Sequence, residues 1–169
     1  MKIKFSAMAI AGALAFNAHA TTTDWSTHDI VEIAAQLTPV GSFSDSYLFS
    51  LTGTSNLFST AVSNDVSNNN GSVLGLTGGL VSLYRDVLGP DLPVGSFAFD
   101  GTTGDGPGHT FATLVAGNYY YTVSGIGSGS QGGLYTVSST AAPVPEPQTF
   151  ALILGGLAAV GLMIRRRMS

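Results

Sequence analysis

The sequence has no cysteine and almost no basic residue in its middle. Without cysteine there is no disulfide framework, no thiolate metal site, no cysteine nucleophile and no lipidated cysteine anchor. The fold must therefore rest on its own apolar core, for which a segment of about 120 residues is enough. Of the six Lys and Arg residues, Lys2 and Lys4 open the chain, Arg165, Arg166 and Arg167 nearly close it, and only Arg85 stands between. Nine of the ten acids, from Asp24 to Asp105, lie between Thr21 and Ala142. Neutralising a nucleic-acid backbone takes several Lys or Arg side chains, so this middle excludes nucleic acid as a partner. It also repels anionic lipids and polysaccharides unless a divalent cation bridges them.

What is present at the two ends differs from the middle. Lys2 and Lys4 precede an apolar run from Phe5 to Phe16, followed by Ala18-His19-Ala20. A charged start, an apolar run and an Ala-x-Ala site mark a secretory signal peptide, residues 1–20, cut by signal peptidase after Ala20. The alternative is a buried core helix. At the other end Phe150 to Ile164 is uncharged and rich in Ala, Leu and Gly, with three arginines after it. Fifteen helical residues rise about 22 Å, short of a ~30 Å hydrocarbon core, so snorkelling arginines and flanking residues must stretch the expected transmembrane helix, 149–164. The arginines favour the cytoplasmic side and leave Pro145-Glu146-Pro147 outside. The two prolines disfavour helix and sheet, which predicts an extended, protease-accessible strip. An ordinary single-pass anchor is the alternative.

Val144-Pro145-Glu146-Pro147, then Ala151-Leu152-Ile153-Leu154-Gly155-Gly156-Leu157 and the terminal Arg cluster, resembles the PEP-CTERM sorting domain, over about the last 26 residues. The resemblance implies recognition by exosortase, an integral-membrane cysteine peptidase acting close to Pro-Glu-Pro, with Pro145, Glu146, Pro147, Arg165, Arg166 and Arg167 as the sorting residues. It implies a chain anchored for a time in the inner membrane through residues 143–169 and then freed to the cell surface or extracellular matrix.

Between these ends, residues 21–142 read as one secreted domain. Ile30, Val31, Ile33, Ala34 and Leu37 form a short amphipathic pattern, a helical turn or two or an entry strand. From Phe43 the period is two: Phe43, Asp45, Tyr47, Phe49 and Leu51 share a face. Further short strands are expected at Asn56–Val62, Val73–Leu76, Leu80–Val87, Phe97–Phe99, Phe111–Val115, Tyr119–Val123 and Leu134–Ser138, with turns or loops at Gly53, 63–72, Gly78-Gly79, 88–94, 100–109 and 125–133. Eighteen glycines between Thr21 and Gln148 and no sustained helical period outside the tails predict an all-β fold, a small antiparallel, jelly-roll-like sandwich.

Phe49-Ser50-Leu51, Leu80 to Asp86, Leu114 to Gly125 and Gly133-Leu134-Tyr135-Thr136-Val137 are similar to the bacterial pre-peptidase C-terminal domain, a small β-sandwich. Phe43-Ser44-Asp45-Ser46-Tyr47 resembles the Phe-x-Asp-x-Phe element of one group of PEP-CTERM proteins. These likenesses imply a fold and no activity.

Chemistry has few candidates. Asp100 and Asp105 sit in a Gly-rich loop that would turn oxygens onto Ca²⁺, although the spacing lacks the middle acids and closing Glu of an EF-hand; a solvated hairpin loop is the alternative. Asp45, an acid on an aromatic face, needs a partner. Arg85 is the domain's one fixed cation, so an Asp45–Arg85 ion pair is expected. Asp86 competes for that guanidinium, and Asp45 has the alternative of backbone N–H donors. His28, Asp29 and Glu32 have ligand spacing but no further partner in a polar arm. Serines abound, yet no Gly-x-Ser-x-Gly elbow is present. The Gly125 to Ser130 run lies between strands with no helix after it, which removes a nucleotide loop. Asn70-Gly71-Ser72 has the pattern of a glycosylation sequon. Tyr119, Tyr120, Tyr121 and Tyr135 either stack on sugar rings or pack the core, with Tyr119 and Tyr121 on one face and Tyr120 on the other. The expectation is a non-enzymatic exported protein of the exopolysaccharide matrix or biofilm without a resident cofactor; the alternative is a Ca²⁺-assisted carbohydrate-binding module.

Overall fold

The computed structural model describes residues 19–100, 108–145 and 147–167. Eleven strands and one helix follow one another in these residues. Strands β1 (Thr22–Thr27), β3 (Gly41–Leu51), β10 (Gly117–Gly127), β7 (Leu76–Asp86) and β8 (Leu92–Phe99) form a five-stranded sheet in that order. Strands β2 (Val31–Thr38), β11 (Gly133–Pro143), β4 (Ser55–Ser63) and β9 (His109–Leu114) form the four-stranded partner. A small ribbon, β5 (Val66–Asn68) with β6 (Gly71–Leu74), stands apart. The β1–β3 pair is parallel and the other ladders are antiparallel. Apart from the small ribbon, only the step from β7 to β8 stays within a sheet. All-β sandwich architecture follows from this crossing and from the burial pattern.

The alternation read from Phe43 onward holds along β3: Phe43, Asp45, Tyr47, Phe49 and Leu51 are all buried. They meet Tyr119, Tyr121 and Val123 of β10, Val81 and Leu83 of β7, and Leu57, Tyr135 and Val137 of the facing sheet in one core. Burying each such aliphatic side chain contributes roughly 1.5–3 kcal/mol, so this row is where the sandwich draws its stability. The two inner faces differ in their balance, although Leu57, Phe111, Leu114, Tyr135 and Val137 give the four-stranded sheet large side chains too. The five-stranded sheet brings aromatics, with Phe49 stacked on Tyr119 at 6.0 Å and Trp25 over Tyr47 at 5.0 Å. The four-stranded sheet brings small and hydroxyl side chains, among them the buried Ser55, Ser59, Ser63 and Ser139.

Three local expectations change. Of the two readings open for the segment before Pro39, the strand holds and the helical turn does not, and the segment makes two strands in different sheets, β1 and β2. In β2 the register with β11 turns Ala34 and Thr38 inward and leaves Val31, Ile33 and Leu37 exposed. Gly78-Gly79 is not a turn: β7 runs through it as a bulge, two residues opposite Gly125, with Gly78 at φ 62°. A Cβ on Gly79 would come within 2.5 Å of the Phe99 carbonyl oxygen, so the close β7–β8 approach requires glycine there. The polar loop 63–72 contains the β5–β6 ribbon, whose tip is tied by the Asn70 N–H donating to Asn68 Oδ1 at 2.8 Å.

Beyond Pro143 the chain leaves the sandwich and forms α1 (Pro147–Arg167), 21 residues. Pro147 suits the first helical position, where no N–H is needed. The tail motif is therefore not wholly extended: Pro145 is exposed coil, and Pro147 belongs to the helix. Among the described residues no helix is long and apolar enough to cross a membrane. The helix expected over 149–164 is present, and a membrane span by it is not supported. The added length comes from Pro147, Gln148 and the three arginines, which extend the helix without extending its apolar part.

Candidate functional site

Two short chains of buried polar groups lie between the sheets; the buried Thr38, Ser55 and Ser63 stand apart, bonded to Gly133, Gly53 and Asp65. In the first, β3 carries Asp45 inward at zero exposure. Tyr135 of β11 donates its hydroxyl to Asp45 Oδ2 at 2.7 Å and shares a 2.7 Å hydrogen bond with the Tyr47 hydroxyl. Asp45 Oδ1 accepts the Thr21 N–H at 2.8 Å and the Thr21 hydroxyl at 2.6 Å. Each carboxyl oxygen thus meets donors, which is how a buried acid avoids the desolvation cost of being unpaired. The Tyr135 hydroxyl is held far above the usual tyrosine range, first by burial and then by its bonds to Tyr47 and Asp45. Tyr47 is raised as well, mainly by burial.

The expected Asp45–Arg85 pair does not form. On β10, Asp45 lies opposite Val123, while Arg85 lies opposite Tyr119. Four residues of strand, roughly 13 Å at ~3.3 Å each, separate the two levels. Arg85 instead rests 6.0 Å from the centre of the Tyr119 ring and donates to the Ala116 carbonyl at 3.4 Å. The strand carrying each residue was legible, but the rung at which each enters the ladder was not.

In the second chain Tyr121, also fully buried, bonds Ser59 at 2.5 Å and Ser139 at 3.0 Å. Ser139 reaches His28 Nε2 at 2.8 Å. Burial pushes the Tyr121 hydroxyl up to about 12, against smaller opposing contributions from Ser139 and Ser59. A serine beside a histidine invites comparison with a nucleophile and its base. Here Ser139 is wholly buried, and His28 Nδ1 sits on the backbone carbonyl of Asp29, so this pair has neither a substrate-facing hydroxyl nor an orienting acid. The serines escaped the sequence reading; the signal was parity, because Leu57, Ser59 and Ala61 share the inner face of β4.

Asp29 and Glu32 meet locally, Glu32 Oε1 accepting the Asp29 N–H at 3.1 Å. Among the described residues no group of three or more His, Cys, Asp or Glu side chains could hold a metal ion. Asp100 follows the end of β8, and Asp105 lies outside the described residues. Ala18 and Glu146 also lie outside them, and Ala20 is exposed just before β1. Tyr119 and Tyr121 pack the core, and Tyr120 points to the other face. There Tyr120 stacks on Tyr84 at 5.3 Å and donates to Asp91 at 2.8 Å. Beside it an open cleft of about 370 Å³ is lined by Asp24, Ser26, Leu48, Asp86, Asn118 and Tyr120, with others.

Residues 143–167 match the PEP-CTERM protein-sorting motif. No curated protein matches the chain. Among solved structures, PliG of Aeromonas hydrophila, a periplasmic lysozyme inhibitor of g-type lysozyme, is 12% identical over 74% of this chain and 99% of its own, with a TM-score of 0.48. PliG of Salmonella Typhimurium, also a periplasmic inhibitor of g-type lysozyme, is 12% identical over 71% of this chain and 98% of its own, with a TM-score of 0.42. The motif supports an exported, exosortase-sorted protein.

Proposed function

We propose that the chain is an exosortase substrate whose residues 21–142 are delivered, without enzymatic activity of their own, to the cell surface or extracellular matrix. Residues 1–20 direct export, and residues 143–169 hold the chain at the inner membrane until exosortase acts near Pro145-Glu146-Pro147. The observation that carries this reading is the tail itself. The matched motif opens a helix whose Leu152 and Met163 are 76% and 70% exposed, an apolar surface that the sandwich does not cover and that lipid or a membrane peptidase would. Arg165 to Arg167 set its orientation.

The working part is then the acidic sandwich, whose association with extracellular polysaccharide is part of the proposal. Its likeness to the pre-peptidase C-terminal sandwich and to the Phe-x-Asp-x-Phe group rests on the sequence motifs. Intact-mass measurement of the surface form tests the sorting reading. The expected mass lacks the helix, and a mass retaining Phe150 to Ser169 would make the tail a plain anchor. Replacing Pro145, Glu146 and Pro147 together by alanine should leave the uncut form accumulating in the membrane fraction.

A further inference from the structure

Asp45 combines complete burial with an absence, among the described residues, of any fixed cation beside it. The groups that face it are neutral donors: the Tyr135 hydroxyl from β11, with Tyr47 of β3 behind it, and the hydroxyl and backbone N–H of Thr21. His19 Nδ1 stands 4.0 Å from Asp45 Oδ1 and finds no hydrogen-bond partner. A buried carboxylate held only by neutral groups is an incompletely matched site. The residue whose nitrogen touches it, at 2.8 Å, is the one immediately after the Ala18-His19-Ala20 cleavage site.

We infer that the Asp45 pocket is a receptor for the α-ammonium group of Thr21, created when signal peptidase cuts after Ala20. The inference rests on the export reading above. Water adds across the Ala20–Thr21 peptide bond, leaving a carboxylate on Ala20 and an amine on Thr21 that is protonated at neutral pH. The nitrogen that donates one neutral hydrogen bond in the uncut chain then carries a positive charge and three protons at the same place. Cleavage removes His19 and with it the two backbone bonds that His19 makes to Ser42 and Ser44. Thr21 stays in register, because its carbonyl accepts the Ser46 N–H at 2.8 Å and Thr22 follows beside Ser46 in the parallel ladder. The acid that stands out of place on an aromatic strand face thus has a partner after all, and export supplies it. The domain reaches its most stable form only after its leader is gone, which ties the final fold to passage across the membrane.

The composition provides a clean assay. Lys2 and Lys4 are the only lysines, so the processed chain has a single primary amine. The full chain is exported from a bacterial host, its processed form purified, and its first residue identified by N-terminal sequencing. The amine is then labelled with an N-hydroxysuccinimide ester at neutral pH, in buffer and in urea, and followed by intact mass. Paired with Asp45 and half-buried, the amine of the folded protein should label at least about tenfold more slowly than in urea, because only the free base reacts and the adjacent carboxylate disfavours it. Asp45→Asn should abolish that protection. A second variant, with one glycine inserted between Ala20 and Thr21, keeps every native side chain and moves the amine out by ~3.8 Å. It should retain the β-sheet circular dichroism, label at the urea rate and melt at a lower temperature. A chain that begins elsewhere than Thr21 overturns the cleavage reading and the inference together. A chain that begins at Thr21, yet labels equally fast folded and unfolded or is unaffected by the inserted glycine, overturns the inference alone.

Discussion

The sandwich and the C-terminal helix treat water in opposite ways. In the sandwich, Leu57, Val81, Leu83 and Val137 are wholly buried, and the inward hydroxyls of Tyr47, Tyr135, Tyr121, Ser59 and Ser139 are hydrogen-bonded among themselves. In α1, Leu152, Ile153, Leu154, Leu157, Val160, Met163 and Ile164 are all exposed. A period-two strand gives each apolar residue a polar neighbour on the other face, so two sheets can close on each other. A helix that is apolar on all sides has no face to leave in water. The difference teaches that the sandwich is complete without the tail, whereas the tail needs an environment the sandwich does not provide.

This contrast can be broken or sharpened by measurement. The largest effect is expected from Leu57→Ala, which opens a cavity in the shared core and should cost about 2–5 kcal/mol in chemical denaturation. An unchanged midpoint would mean that β4 does not pack as described. Next, Tyr135→Phe removes the donor on Asp45 Oδ2 and the link to Tyr47, at about 1–3 kcal/mol. A neutral result would show that the Asp45 chain adds nothing to the sandwich.

Alkaline titration probes the same interior. The folded-state values of Tyr47, Tyr121 and Tyr135 all lie above the ordinary tyrosine value, Tyr121 at about 12. The fold therefore favours their neutral forms. Their contribution is fully present below pH ~10 and is lost as pH rises through the folded values, at up to about 1.4 kcal/mol per pH unit for a tyrosine that stays protonated in the fold. Stability measured by urea unfolding at pH 8, 10 and 11 should be level and then fall. A flat profile would place these hydroxyls in contact with water. The smallest effect belongs to the tail. A chain ending after Val144, which keeps the 2.9 Å bond from the Val144 N–H to the Thr54 carbonyl, should match the full chain within about 0.5 kcal/mol. A larger loss would mean that α1 supports the sandwich.

Much of the fold was legible. The strand from Phe43 to Leu51 and the face assignments of Tyr119, Tyr120 and Tyr121 follow from alternation alone, since a strand allows only two directions. The glycines misled where they serve as a bulge: Gly78-Gly79 reads as a turn until Phe99 is seen against it. Ile30 to Leu37 misled for a different reason. Its apolar residues are set by pairing with β11, and they point outward where a local pattern predicts burial.

The candidate site shows the same boundary. Asp45 was conspicuous because an acid on an aromatic face needs a partner, and the scarcity of cations made Arg85 the natural choice. Its actual partners, Thr21 and Tyr135, lie 24 and 90 residues away in the chain. What the sequence by itself determined is local or compositional: an all-β middle, an acidic and cysteine-free domain, and a sorting tail recognisable from ordered short motifs. Tertiary structure alone decided which rung of which strand faces which. Register is a long-range property, set by two sheets closing on a common core, and a shift of one residue would turn every side chain to the other face.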